Sequence, residues 1–138
     1  MIRTSSRRRG RGQSLVEVAL LLPVLIVLLA AVIDLGRVLD ASIVLSNAAR
    51  VGARFGSIHP TWYDSIRVRV VDFANNSGMA FTGVVLDGSN VEVSSSAVPG
   101  QPIVVTITYD LPLYFGRMVG LNTIRIVRRA EMMIMSSQ

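Results

Sequence analysis

Between Val18 and Ile33 the chain reads VALLLPVLIVLLAAVI, 16 residues with no charge among them. Widening this run to Leu15–Leu35 takes in only Glu17 and Asp34, one near each end. As a helix rising about 1.5 Å per residue, the wider segment reaches about 31 Å, close to the ~30 Å thickness of a bilayer's hydrocarbon core. Pro23 removes one N–H and can bend such a helix, a defect that membrane helices tolerate better than soluble ones. A single transmembrane helix is therefore expected near the N-terminus, with membrane lipid as its first partner. The 138 residues leave room for one small domain beside that anchor and not for two independent cores.

Charge orients the segment. Arg3, Arg7, Arg8, Arg9 and Arg11 all precede Gly12 without an acidic companion, whereas the remaining nine arginines face nine Asp and Glu. The formal charge of +5 thus belongs to the leader alone. These arginines stop where the apolar run begins and no aromatic residue interleaves them, so the basicity reads as a topology signal and not as a nucleic-acid surface. It holds the N-terminus in the cytoplasm and sends the rest outside. A cleaved secretory signal also has a basic start and an apolar middle. Here the apolar stretch is longer, no A-x-A-like site follows, and a carboxylate sits in its first turn.

That carboxylate, Glu17, is the most informative side chain. A charge at the centre of a bilayer costs about 2.5–3.5 kcal/mol on insertion scales, less near an end, and normally implies a partner. Two readings stay open on charge alone. Glu17 either rests among headgroups and stabilises the helix N-terminus, or it waits for a cation from another molecule. Gly12-Gln13-Ser14-Leu15-Val16-Glu17 places it five residues after a glycine, behind a basic leader and ahead of an apolar helix. This arrangement resembles the class III signal of type IV pilin-like precursors. Further elements follow in order: L-L-P early in the helix, D-L-G-R at its exit, and N-A-A-R-x-G-A-R from Asn47 to Arg54. Together they resemble the N-terminal half of the TadE-like proteins, minor pseudopilins of the Tad (Flp) pilus machinery. One departure is Val18, where processed members often carry an aromatic residue.

The resemblance implies cleavage by a prepilin peptidase between Gly12 and Gln13, in a bacterial inner membrane. It also implies a role for Glu17 in neutralising the new amine of Gln13 on a neighbouring subunit. Other pilin or pseudopilin subunits and Tad assembly proteins become the implied partners, and Asn47, Arg50, Gly52 and Arg54 carry the family-motif helix.

Beyond the membrane the helix is expected to continue. Asp34–Gly56 contains no Pro, and Asp40, Asn47, Arg50 and Arg54 share one face. Leu45, Ala48, Ala49 and Gly52 form a second stripe of mostly small residues. That stripe suits the core of the protein's own head, the alternative being contact between subunits. Gly56-Ser57-Ile58-His59-Pro60 is expected to break the helix, with His59 solvated. Thr61-Trp62-Tyr63-Asp64 reads as a capping box for a second helix carrying Ile66, Val70 and Phe73, with Trp62 and Tyr63 packed under the head.

Strands follow. Ile103, Val105, Ile107 and Tyr109 alternate with Val104, Thr106 and Thr108, and Val91–Ser94 is expected to pair with them across a Pro99-Gly100 turn. Leu111–Val119 reads as a short helix after Pro112. Ile124, Ile126, Arg128, Ala130, Met132 and Ile134 then share one face of a last strand, with Arg128 at an edge or against Glu92 or Asp110.

The expected fold class is α+β and pilin-like: a long N-terminal transmembrane helix continuing as a shaft, packed with a second helix and a small antiparallel sheet. Its organisation is a basic cytoplasmic leader at 1–12, a transmembrane and shaft helix at 13–56, and an exported head at 57–138. With no Cys, no Lys, one His and no G-x-S-x-G or phosphate-cradling loop, the chain offers no catalytic set, metal site or cofactor site. Two functions remain: a minor pseudopilin, or an exported binding module on an uncleaved anchor.

Overall fold

The computed structural model describes residues 10–77 and 85–135. Arg3, Arg7, Arg8 and Arg9 of the leader lie outside the described residues. Helix α1 runs unbroken from Gly10 to Ile58, through Pro23, and is about 73 Å long at about 1.5 Å per residue. Along its lower part, from Gly12 to Leu29, every residue is exposed. Its upper part is the spine of the head. Helix α2 (Tyr63–Asn76) packs on it, and strands β1 (Val91–Ser95), β2 (Pro102–Pro112) and β3 (Thr123–Met133) form an antiparallel sheet in the order β1-β2-β3. This is the expected α+β arrangement, with three strands.

The core follows from the periodicities. Ala41, Leu45, Ala48, Ala49 and Ala53 of α1 are fully buried, as are Ile66, Val70 and Ala74 of α2. The alternating Ile103, Val105 and Ile107 of β2 face the same cluster, joined by Val91 and Ile126. Val105 sits at the centre of the sheet, opposite Val93 on one side and Ala130 on the other. Burial of each large aliphatic side chain is worth about 1.5–3 kcal/mol. The small-residue stripe therefore serves the protein's own head. At Gly52 an added Cβ would collide with Val70 Cγ2, and at Gly56 it would meet Ile103 Cδ1 at 2.5 Å, so both glycines set how closely α1 approaches its neighbours.

Local expectations fare unevenly. The helix ends inside the expected Gly56–Pro60 break, at Ile58, where Ser57 Oγ donates to the Arg54 carbonyl (2.8 Å) and the Ser57 carbonyl accepts from Met135 N–H (3.0 Å). The Thr61–Asp64 capping box does not form. Trp62 is the N-cap and makes no side-chain bond, while Asp64 pairs instead with Arg67 at 3.0 Å. His59 is half-buried and stacked between Phe55 (4.8 Å) and Trp62 (4.6 Å), its flat ring gaining more from aromatic faces than from water. Trp62, by contrast, stays 55% exposed. Finally, Leu111–Val119 is mostly not helical: β2 extends to Pro112, and only Gly116–Val119 forms a 3-10 turn. Arg128 lies on an edge strand, as one of the expected alternatives had it, and not against Glu92 or Asp110; it donates to Ser42 Oγ on α1, and Asp110 pairs across the sheet with Arg125.

The Pro99-Gly100 turn is present, with Gly100 at φ +81°, a conformation that favours glycine. Beyond α2, the Asn75 side chain holds Leu86 by both its N–H (2.9 Å) and its carbonyl (3.0 Å), fixing the chain's return to the sheet.

Gly52→Ala is expected to destabilise the head by about 1–3 kcal/mol, the range for overpacking a filled core. Thermal denaturation in detergent should show a midpoint lowered by several degrees. An unchanged midpoint would mean that α2 is not held where the packing places it.

Candidate functional site

Three groups of side chains along α1 bear on function. The lowest holds Gly12, Gln13 and Glu17, all on the exposed part of the shaft. Among the described residues no salt bridge involves Glu17. Among the described residues nothing lies within 4 Å of where a Cβ on Gly12 would stand.

The second group sits where the head begins, and sequence reasoning gave it no role. Asp34 is only 6% exposed, at the end of the apolar run. Its Oδ1 accepts the N–H of Tyr114 (3.1 Å), and its Oδ2 accepts those of Phe115 and Gly116 (both 2.9 Å). Arg37, one turn above, reaches Asp34 at 3.4 Å, donates to the Pro112 carbonyl at 3.1 Å, and lies 3.6 Å from the centre of the Tyr114 ring. One carboxylate and one guanidinium thus tie the shaft to the end of β2 and the loop after it. Bonds to ionised groups are worth about 1.5–3 kcal/mol each, more than neutral ones, and a buried charge so well satisfied is tolerated. Nearby, burial pushes the Tyr109 hydroxyl above the usual phenol range, partly opposed by the charge of Arg37. On the exposed sheet face, the hydrogen bond from Arg125 holds Asp110 below the usual carboxylate range.

The signal for this clamp was present. Asp34 and Arg37 are the charged ends of D-L-G-R, and a lone charge closing an apolar helix calls for a partner by the same rule that singled out Glu17.

The third group is the outward face of the shaft. Asn47, Arg50 and Arg54 are exposed there together with Asp40, while Gly52 turns inward against α2. The family-motif residues therefore divide between a surface and a packing role. Below them, Leu28, Val32, Leu35, Leu39 and Ile43 recur at helical spacing, each more than half exposed. This apolar stripe passes Asp34 and continues up the part of α1 that carries the head. Among the described residues no group of three or more His, Asp or Glu is placed to hold a metal ion.

One long helix, whose most apolar 18-residue stretch has a mean hydropathy of 3.0 and is almost unburied, fits a single-pass membrane anchor, and with the α+β head above it the arrangement is pilin-like. Within that class, residues 12–54 match the family model described as TadE-like protein. This is the family that the order of motifs resembled, and the match supports a component associated with the Tad pilus. It stops at Arg54, short of α2 and the sheet. No curated protein and no solved structure matches the chain.

Asp34→Asn is expected to release the loop after β2, because an amide N–H₂ would replace one of the accepting oxygens. Hydrogen exchange at the amides of Tyr114, Phe115 and Gly116 should quicken at least tenfold, the equivalent of about 1.4 kcal/mol, while Val105 stays protected. Equal exchange in both proteins would show that the carboxylate does not hold the loop.

Proposed function

We propose that the chain is a minor pseudopilin-like structural component of a Tad (Flp) pilus assembly or secretion machine, in the bacterial inner membrane with the leader in the cytoplasm and the head outside. On this reading a prepilin peptidase removes residues 1–12 and leaves Gln13 as the mature N-terminus. The organisation is then a leader at 1–12, an anchor and shaft from 13 to about 56, and an exported head beyond it. The work is assembly by lateral helix packing, not chemistry.

The observation that carries the reading is the exposed stripe on α1. Lipid accounts for apolar side chains below Asp34. It does not account for Leu39 and Ile43, more than half exposed on the segment whose other side is the head's core. An apolar face of that kind, continuous with a lipid-facing one, suits the flank of another subunit's helix. Glu17 lies about 26 Å below Asp34 at about 1.5 Å per residue, inside the membrane edge. There an unpaired carboxylate is unfavourable and a paired one acceptable, so the freed amine of a neighbour's Gln13 would favour one axial register over others. Asn47, Arg50 and Arg54 continue the outward face where the apolar stripe ends. They are the polar contacts available to other pseudopilins and to Tad assembly proteins.

The second reading is a binding module on an uncleaved anchor. The intact mass of the protein isolated from its native cells separates the two: loss of residues 1–12 is expected for the pseudopilin. A Gly12→Val variant should accumulate as uncut precursor. A Glu17→Gln variant should be cut normally yet fail to join the assembly. If both variants behave like wild type, Glu17 is only an interfacial carboxylate and the binding-module reading takes over.

A further inference from the structure

The loop joining β2 to β3, residues 113–122, does not rest on the head's core. It hangs beside α1 at the level of the anchor, enclosing with Ile26, Val27 and Ala30 an apolar groove of about 330 Å³ to which it contributes Leu113, Phe115 and Met118. The loop's apolar side chains are also widely exposed: Tyr114 is 54% exposed, Met118 79% and Leu121 59%. In water such a cluster is an unfavourable patch. Ala30, which the loop helps to cover, lies a full helical turn inside Asp34, about 6 Å towards the bilayer centre.

The loop's backbone supplies an independent observation. Irregular backbone at membrane depth is tolerated only when its polar groups are satisfied without water. Here Leu113 N–H donates to the Asn122 carbonyl (3.0 Å), Met118 to Phe115 (2.9 Å), Gly120 to Arg117 (3.3 Å) and Leu121 to Gly116 (2.9 Å). The amides of Tyr114, Phe115 and Gly116 are taken by Asp34. Seven of the loop's ten backbone N–H groups are thus held within the protein, a share that suits a loop with little access to water. Gly120, at φ +85°, lets the chain close this turn. Arg117 is exposed on the loop, and its long side chain can carry its charge back to the phosphate level. Tyr114 stands at the same level as Asp34, where aromatic side chains favour the membrane–water boundary.

We infer that this loop is a second membrane contact, lying about one helical turn deep in the leaflet on the head's side, with lipid acyl chains against its groove and outer face. Lipid is the occupant because the groove's far wall is the anchor itself, so the lipid-facing surface of α1 runs directly into it. The head is thereby attached at two points, α1 and the loop, and cannot swivel freely on its shaft. The inference needs α1 to lie in a membrane but is independent of cleavage and pilus assembly.

The chain has no cysteine, so single nitroxide labels can be placed without other changes. The full chain carrying Met118→Cys or Leu121→Cys is reconstituted at low protein density in phosphatidylethanolamine–phosphatidylglycerol vesicles. Val32→Cys marks the anchor. Val98→Cys marks the opposite end of the head, about 33 Å away along β2. Collision of each label with oxygen, which partitions into lipid, is compared with collision with a water-soluble nickel chelate. The ratio at 118 and 121 should be several-fold higher than at 98 and close to that at 32. Labels at 118 and 121 that read like 98 overturn the inference. Labels shielded from both reagents also overturn it, in favour of a second copy covering the loop. A water-exposed label at 32 overturns the anchor as well, which separates that failure from failure of the loop alone.

Discussion

A carboxylate at the end of an apolar helix needs a partner, and Asp34 finds one in the backbone of the β2–β3 loop. The rest of the architecture depends on that contact. Below it α1 presents side chains suited to lipid; above it the same helix buries alanines, glycines and Leu45 against α2 and the sheet. One uninterrupted rod is thus bare and apolar below and built into a core above, and the head is fastened where the first part gives way to the second. With Arg37 spanning Asp34, Pro112 and Tyr114, the fastening joins helix, strand and loop in a single polar cluster.

This division explains the use of small residues. The head has only about 80 residues with which to cover an exposed spine, and it does so by close approach instead of bulk. Gly52 and Gly56 let Val70, Ile66 and Ile103 come against the α1 backbone. The side of α1 turned away from the head then keeps an apolar stripe as far as Ile43, followed by Asn47, Arg50 and Arg54. A shaft that is core on one side and apolar surface on the other is organised for company. Proposed register by Glu17, at the far end of the same rod, would act on a subunit whose head is already held at a fixed angle.

Much of this was legible in the sequence because it rests on periodicity. The apolar run, the stripe at Leu45–Gly52, the alternation of Ile103, Val105 and Ile107, and the turn at Gly100 each state their structure within a few residues. What escaped depends on residues far apart in sequence. Asp34 meets amides some 80 positions away, and nothing local reveals that a loop will supply them. His59 lost its expected solvation to rings at Phe55 and Trp62, one helical turn back and three residues on. Ser57, inside the expected break, is held by the N–H of Met135, far along the chain. Arg128 chose Ser42 over two acids because the strand's inward face brings it to the shaft.

The account turns on where α1 passes from lipid to the aqueous side. That boundary is measurable with single cysteines on exposed positions of the helix, treated in intact membranes with a maleimide that cannot cross the bilayer. Leu25→Cys and Val32→Cys should remain unlabelled, while Asp40→Cys and Asn47→Cys react readily. Labelling at 25 and 32 equal to that at 40 and 47 would contradict the account, since the lower shaft would then lie in water and Asp34 would mark no boundary.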